Sequence, residues 1–236
     1  VHVEDQEAYQ ADQAIADQDP PENASDKELA LFYLKRANAC HNVGRAKQEV
    51  QDYQKAVEYG SNCNLDNAPT IKFQWGMGEV RNGNYSKGIP IVEEAIAEQS
   101  SPVGKCVKSC GLARAYAYSG NIPLAMEALD RAKMNRNKTI RWRKLSPKWR
   151  IRMHAFLHMA MGDLFNVAGK LKQAEKHHRK ALKIFAPYKK QRVSSAVASK
   201  SNAMVYNGMT SSLAENLRRQ GCLVKAEYYS RKALEG

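Results

Sequence analysis

Glycine and proline are scarce in this chain, 14 and 8 of 236 residues. Alternating runs of β-branched residues bounded by turn clusters are missing too, which excludes a sheet-built fold. No run approaches the about 18 apolar residues of a membrane-spanning helix. Five cysteines, an odd number at irregular spacing, supply no disulfide framework. Cys106 and Cys110 stand four apart on one helix face, at the limit of bridging reach and poorly oriented. With no His or Cys cluster beside them, they are expected to act as small buried hydrophobes rather than half a metal site. A meeting of Cys40 with Cys63 at the ends of the first repeat stays open, and so does the redox compartment, with the cytoplasm slightly favoured over the periplasm. No leader pattern is seen, but a chain opening on Val1 reads as trimmed or processed, so that says little.

Catalytic patterns are also missing. His154 and His158 have the i, i+4 spacing of helical zinc sites, but the string HAFLH lacks the intervening acid of metalloprotease chemistry, and a structural pair is expected. His177 and His178 are expected to be half exposed on a helix. No Gly-rich phosphate loop follows a strand, and no Ser or Cys nucleophile stands in a motif. No catalysis, cofactor or metal is expected.

What is present is a repeated phrase. GRAKQEVQDYQKAVEYG, GNYSKGIPIVEEAIAE, GNIPLAMEALDRAK, GKLKQAEKHHRKALKI and GCLVKAEYYSRKALEG open at Gly44, Gly83, Gly120, Gly169 and Gly221. Twelve residues after each Gly stands an Ala: Ala56, Ala95, Ala132, Ala181 and Ala233. A turn Gly ends one helix at positive φ, and small residues let the next helix cross closely. The slot five after the Gly holds Gly88, Ala125, Ala174 and Ala226, but Glu49 in the first copy, where a looser crossing is expected. Large–small pairs precede the Gly, as in Trp75-Gly76, Leu112-Ala113 and Met161-Gly162. Five copies in one register imply a helical solenoid, a surface for holding something else.

The pattern resembles the tetratricopeptide repeat (TPR), two antiparallel helices per unit of about 34 residues. The Gly-to-Gly spacings of 39, 37, 49 and 52 exceed that, so later units carry longer helices or insertions. The resemblance implies an all-α, right-handed superhelical α-solenoid of about five units, near 27–62, 68–100, 103–136, 147–187 and 195–236, counted as one extended domain. The first unit resembles a subtype with Arg in its first helix and Asp in its second, which implies that Arg36 pairs with Asp52. The last resembles kinesin-light-chain repeats and arrays ahead of CHAT peptidase domains, so this piece is expected to be the scaffold or sensing arm of a longer protein. Residues 1–26 form an acidic N-terminal helix and a linker broken at Pro20-Pro21, with Ser25 or Asp26 capping the first repeat helix. Pro147 after Ser146 should open a long helix, and Pro187 should end one.

Charge divides the chain. Through residue 30, nine acids face one Lys, whereas 131–192 holds 19 Lys or Arg against Asp163 and Glu175, or +17 where the whole chain is +13. Such an arm is either a solvated face with Lys and Arg stems over helix ridges, or a docking surface for an acidic peptide, an acidic domain or nucleic acid. The patch is represented by Arg136, Lys138, Arg141, Arg143, Lys144 and Arg150. Trp142, Trp149 and Tyr188 interleave with it, but Trp149 shares a helix rhythm with Met153, Phe156 and Leu157 and is expected in the core. Docking of the acidic front on the basic arm, within one chain or between copies, is a third possibility.

The resemblance implies that partners, commonly extended peptides, lie in a groove lined by the first helix of each unit. Carried over, the groove positions are Asn38 and Asn42, Gln74 and Arg81, Arg114 and Tyr118, Asp163 and Asn166, and Glu215 and Arg219. Amides bind peptide backbone and Arg grips carboxylates. The chaperone-tail clamp is not expected, because Leu34 stands where that motif wants Lys. The expected function is a non-catalytic protein-interaction scaffold for an acidic or extended partner, with a nucleic-acid adaptor or a self-assembling scaffold as alternatives.

Overall fold

A computed structural model describes residues 3–141, 145–189 and 196–234. Among these residues there are eleven helices and no strand. In chain order they are α1 (Val3–Ala16), α2 (Asp26–Asn42), α3 (Ala46–Asn62), α4 (Ala68–Arg81), α5 (Tyr85–Ala97), α6 (Pro102–Tyr118), α7 (Ile122–Ile140), α8 (Pro147–Val167), α9 (Leu171–Lys189), α10 (Ala196–Arg219) and α11 (Leu223–Leu234). From α2 onward they pair as consecutive antiparallel hairpins, α2–α3 through α10–α11. The chain divides into two compact units, one through Gln99 and the other from Ser100.

The five turn glycines open the second helix of each hairpin, all with φ between 74° and 84°. A Cβ there would fit in space but not in backbone conformation, so the left-handed turn is what requires Gly. Four of the alanines twelve residues on, Ala56, Ala95, Ala132 and Ala181, are fully buried. Ser25 and Glu28 form a reciprocal capping box that starts α2.

In the first unit the core gathers Tyr33, Ala37, Tyr53, Ala56, Val57 and Ile71. The Arg36–Asp52 pair is bidentate, Nε donating to Oδ2 and Nη2 to Oδ1, both at 2.8 Å. The acidic helix α1 packs on α2 in the same unit. Ala16 meets Ala39 and Cys40. Gln48 donates to the Ala16 carbonyl at 2.7 Å, and Arg36 to that of Gln18 at 2.6 Å. Asp17 pairs with Arg45 at 2.5 Å. The expected loosening at Glu49 is not seen in the contacts between α2 and α3, which among the hairpins are second in extent to those between α6 and α7. Gly78 on α4 makes room for the neighbouring Val50, since a Cβ there would stand 3.2 Å from its Cγ2, whereas Glu49 Oε1 would lie at an ordinary 3.8 Å.

The second unit centres on Ala155, Met159, Leu182, Phe185, Tyr206, Met209, Leu213 and Leu217. Ser146 and Pro147 begin α8 as expected. Pro187 does not end α9, which runs to Lys189. A proline in the last turn removes one helical hydrogen bond while its φ stays helical, and the fully buried Phe185 anchors that turn.

His178 is buried, 1% exposed, not half exposed as the sequence suggests. It falls on the α9 stripe of Ala174, Ala181, Leu182 and Phe185, all buried. Its ring fills the space over Gly162 of α8, where a Cβ would lie 2.5 Å from Nδ1 and Cε1. Gly162→Ala is therefore expected to destabilise the second unit by about 2 kcal/mol through overpacking. Urea unfolding measures this, and an unchanged midpoint would refute the close ring–backbone contact.

Candidate ligand-binding face

Helix periodicity brings the groove positions to the first helices, but most of their polar atoms are already engaged. Asn38 Nδ2 donates to the Leu34 carbonyl at 2.7 Å, and its Oδ1 accepts from the Tyr53 hydroxyl at 2.9 Å. Asn42 donates to Asp12 of α1 at 2.7 Å. Asn166 accepts at Oδ1 from the buried Asn216 at 3.1 Å, while Asn216 also donates to the Leu171 carbonyl at 3.0 Å. Arg219 donates to the Asn166 carbonyl at 2.5 Å, closing the C-terminal end of α8. Glu215 pairs with Arg218 on its own helix. These side chains tie helices together. Gln74 is half-buried and makes no hydrogen bond among the described residues.

Arg81 and Arg114 stand differently. Arg81, on α4, pairs through Nη2 with Glu49 of α3, which is 4% exposed and also meets His41 Nδ1 at 3.1 Å. Burial alone would lift the Glu49 pKa, but the His41 hydrogen bond and the Arg81 charge outweigh it and hold the carboxyl below its usual range. Arg114, on α6, donates through Nε to Asp163 of α8 at 2.5 Å and reaches the Tyr118 hydroxyl at 3.5 Å. Burial opposes its charge, yet Asp163 and Tyr118 push its pKa up, so it stays cationic. Asp163 is itself buried, with His178 Nε2 3.7 Å away. Each guanidinium is thus oriented by a buried carboxylate while part of the side chain stays accessible, 39% for Arg81 and 22% for Arg114. Tyr118 is exposed beside Arg114. The roles of Glu49 and of Asn216 were not read from the sequence: their partners lie 32 and 50 residues away, beyond any local pattern.

The basic region is built on α7, α8 and α9. Lys138 and Arg141 are exposed near the C-terminal end of α7, where they line an open hollow of about 650 Å³ with Asp130, Lys133, Met134 and Asn137. Arg136 donates to Asn137, and Arg150 is half-buried on α8. Arg143, Lys144 and Trp142 lie outside the described residues. Trp149 is not in the core; it is 41% exposed with the Arg152 guanidinium 5.3 Å from its ring centroid. The stripe it shares with Met153 and Leu157 is real, but none of residues 147–150 is buried, and close packing starts at Met153.

His158 Nδ1 lies 2.9 Å from His177 Nδ1, joining α8 to α9. Burial lowers the His158 pKa to about 4, helped by Lys180, His177, His154 and Arg136. Among the described residues no three His, Cys, Asp or Glu side chains gather as a metal site. Among them, too, no helix is long and apolar enough to cross a membrane. The five cysteines are free thiols, with Cys40, Cys106 and Cys110 buried.

No family model matches the chain, and no curated protein matches it. Solved structures do. NprR in complex with its cognate peptide NprX superposes with a TM-score of 0.61 at 13% identity, over 97% of this chain and 59% of that one. BtubC (BKLC) from P. vanneervenii gives 0.52 at 14% identity, over 98% and 87%. The apo form of the quorum sensor NprR from B. thuringiensis gives 0.51 at 15% identity, over 97% and 58%. The chain therefore spans just under three-fifths of the NprR chains it matches.

Proposed function

With the tetratricopeptide-like repeat fold of these neighbours as the premise, we propose that the chain is a non-catalytic interaction scaffold that takes an acidic or extended peptide segment on the first helices of its hairpins. The observation that carries this reading is the pair of oriented arginines. In each unit a guanidinium is fixed by a carboxylate buried on a neighbouring helix, while part of the arginine side chain stays accessible. A pre-oriented Arg loses little side-chain entropy on gripping a carboxylate or a peptide carbonyl, which is where a flexible Lys would lose affinity. Gln74 on α4 adds an amide whose donors and acceptor are open, suited to a peptide backbone. The NprR structure with NprX, a peptide complex on the same fold, supports the choice of a peptide.

The test uses the chain and an array of acidic and scrambled peptides, read by fluorescence polarisation on the hits. Arg81→Ala and Gln74→Ala should each weaken capture, about tenfold for Arg81→Ala if it grips a carboxylate, with helicity by circular dichroism unchanged. Arg81→Lys should recover only part. If both alanine variants bind like the unsubstituted chain, the face has been assigned wrongly.

A further inference from the structure

The corner where α7 ends and α8 begins has no use in the peptide reading. Thr139 Oγ1 stands 3.5 Å from the Met153 sulfur, which sets the last turn of α7 against the early turns of α8. Lys148, Arg150 and Arg152 follow one another on α8, whose first turn carries no acid. Arg136, Lys138 and Arg141 come from the end of α7. The acids nearby are engaged with other partners: Asp130 with Lys133, Asp163 with Arg114, and Glu175 with Arg179 and Gln220.

The Nε of Arg131 and of Arg152 are buried with no hydrogen-bond partner among the described residues. Burial lowers the Arg152 pKa, with no carboxylate contributing against it. His154 is held low by burial and then by Arg136 and Lys180, which places those charges around one point of α8. Like charges within about 10 Å repel at physiological salt. A polyanion relieves that repulsion, and releases its own counterions in doing so.

Charge alone would also suit an acidic peptide; the exposed Trp149 decides between the two. A solvated cationic face gains nothing from an indole in water. The face of an aromatic ring carries negative charge density, which attracts Arg152 and disfavours carboxylates. A nucleobase stacks on that same ring, and cations on both sides neutralise the adjoining phosphates; interleaved aromatics and cations are how single strands are held. We infer that this corner binds single-stranded nucleic acid, with Trp149 stacking one base and Arg136, Lys138, Arg141, Arg150 and Arg152 facing the phosphates. The site does not depend on the peptide face, and either can fail alone.

The test is fluorescence anisotropy of the whole chain with a labelled oligouridylate of about twelve nucleotides, in a salt series. Neutralising about four phosphates gives a log–log salt slope of about −3. Trp149→Ala should weaken binding about tenfold, and Trp149→Phe should keep most of it. Lys138→Ala, on an exposed side chain, should lower the salt slope by about one. An oligodeoxythymidylate arm tells RNA from DNA; binding of either sugar supports the site. If Trp149→Ala binds like the unsubstituted chain, or polyglutamate of equal charge displaces the oligonucleotide as well as unlabelled RNA does, the proposal is wrong. Absence of oligonucleotide binding at low salt also overturns it.

Discussion

Between pH 7 and pH 5 the second unit should lose stability while the first keeps nearly all of its own. Burial lowers the pKa of His154, His158, His177 and His178, with Lys180 and Arg136 repelling the first two, and His178 set between Asp163 and Arg114. A histidine whose folded pKa lies below its unfolded value stabilises the fold above the unfolded pKa, and that stability is lost as pH falls toward the folded pKa. For His158 the window runs from the ordinary imidazole value of 6.5 down to about 4. At pH 5 the linkage amounts to about 2 kcal/mol for a fully enclosed ring and about 1 for one that water partly reaches. His154, His177 and His178 add in the same direction.

In the first unit the perturbed carboxyls are Asp17, Glu28, Glu49 and Glu79, all lowered from ordinary values of 4.5 or less. Their contribution is complete above that value and is lost only as pH falls below it. Hydrogen exchange by mass spectrometry, corrected for intrinsic rates, separates the two units. Protection in α8 and α9 should fall at pH 5 while that in α3 and α4 holds, and His158→Gln should remove part of the fall. Equal loss in both units, or no loss, would refute this account of the histidines.

The other large effect is expected at Asp163. Asp163→Ala leaves Arg114 charged and desolvated with no counter-charge, at a cost of about 3–5 kcal/mol to the second unit. Asp163→Asn, which keeps an acceptor but not the charge, should cost less. Replacing both partners, Arg114→Met with Asp163→Leu, should restore most of the stability, because removing a buried pair also removes its desolvation penalty. Urea titrations of the single and double variants close the cycle. A loss below about 1 kcal/mol for Asp163→Ala would mean that water already reaches the pair.

Much of the fold was legible because the turn glycines and packing alanines act locally. Positive φ at Gly44 or Gly169 and the burial of Ala56 or Ala181 follow from a repeat that a single sequence displays. The Arg36–Asp52 pair came with the repeat resemblance and is present. Depth was less legible. Trp149 and Met153 share a stripe, yet one is exposed and the other fully buried, because periodicity gives a direction and not the place where the neighbouring helix starts to cover it. His178 sat on an apolar stripe that its polar name obscured. The groove positions could be placed on first helices but not judged for availability, since what occupies Asn42 comes from α1 and what occupies Asn166 comes from α10.

Glu49 shows that the hairpins are not interchangeable parts. In the slot where the other copies carry Gly or Ala, it is held by the Arg81 guanidinium and by a hydrogen bond with His41. Set before α6 or α8, the α2–α3 hairpin would meet Tyr118 or Val167 where α4 carries Arg81, and a buried carboxylate would lose its guanidinium. Another hairpin set in its place, with Gly or Ala in that slot, would leave Arg81 without its carboxylate. The serial order of the first two hairpins is thus encoded in the Glu49–Arg81 pair, and shuffling or duplicating modules of this chain by recombination would succeed best where those two residues travel together.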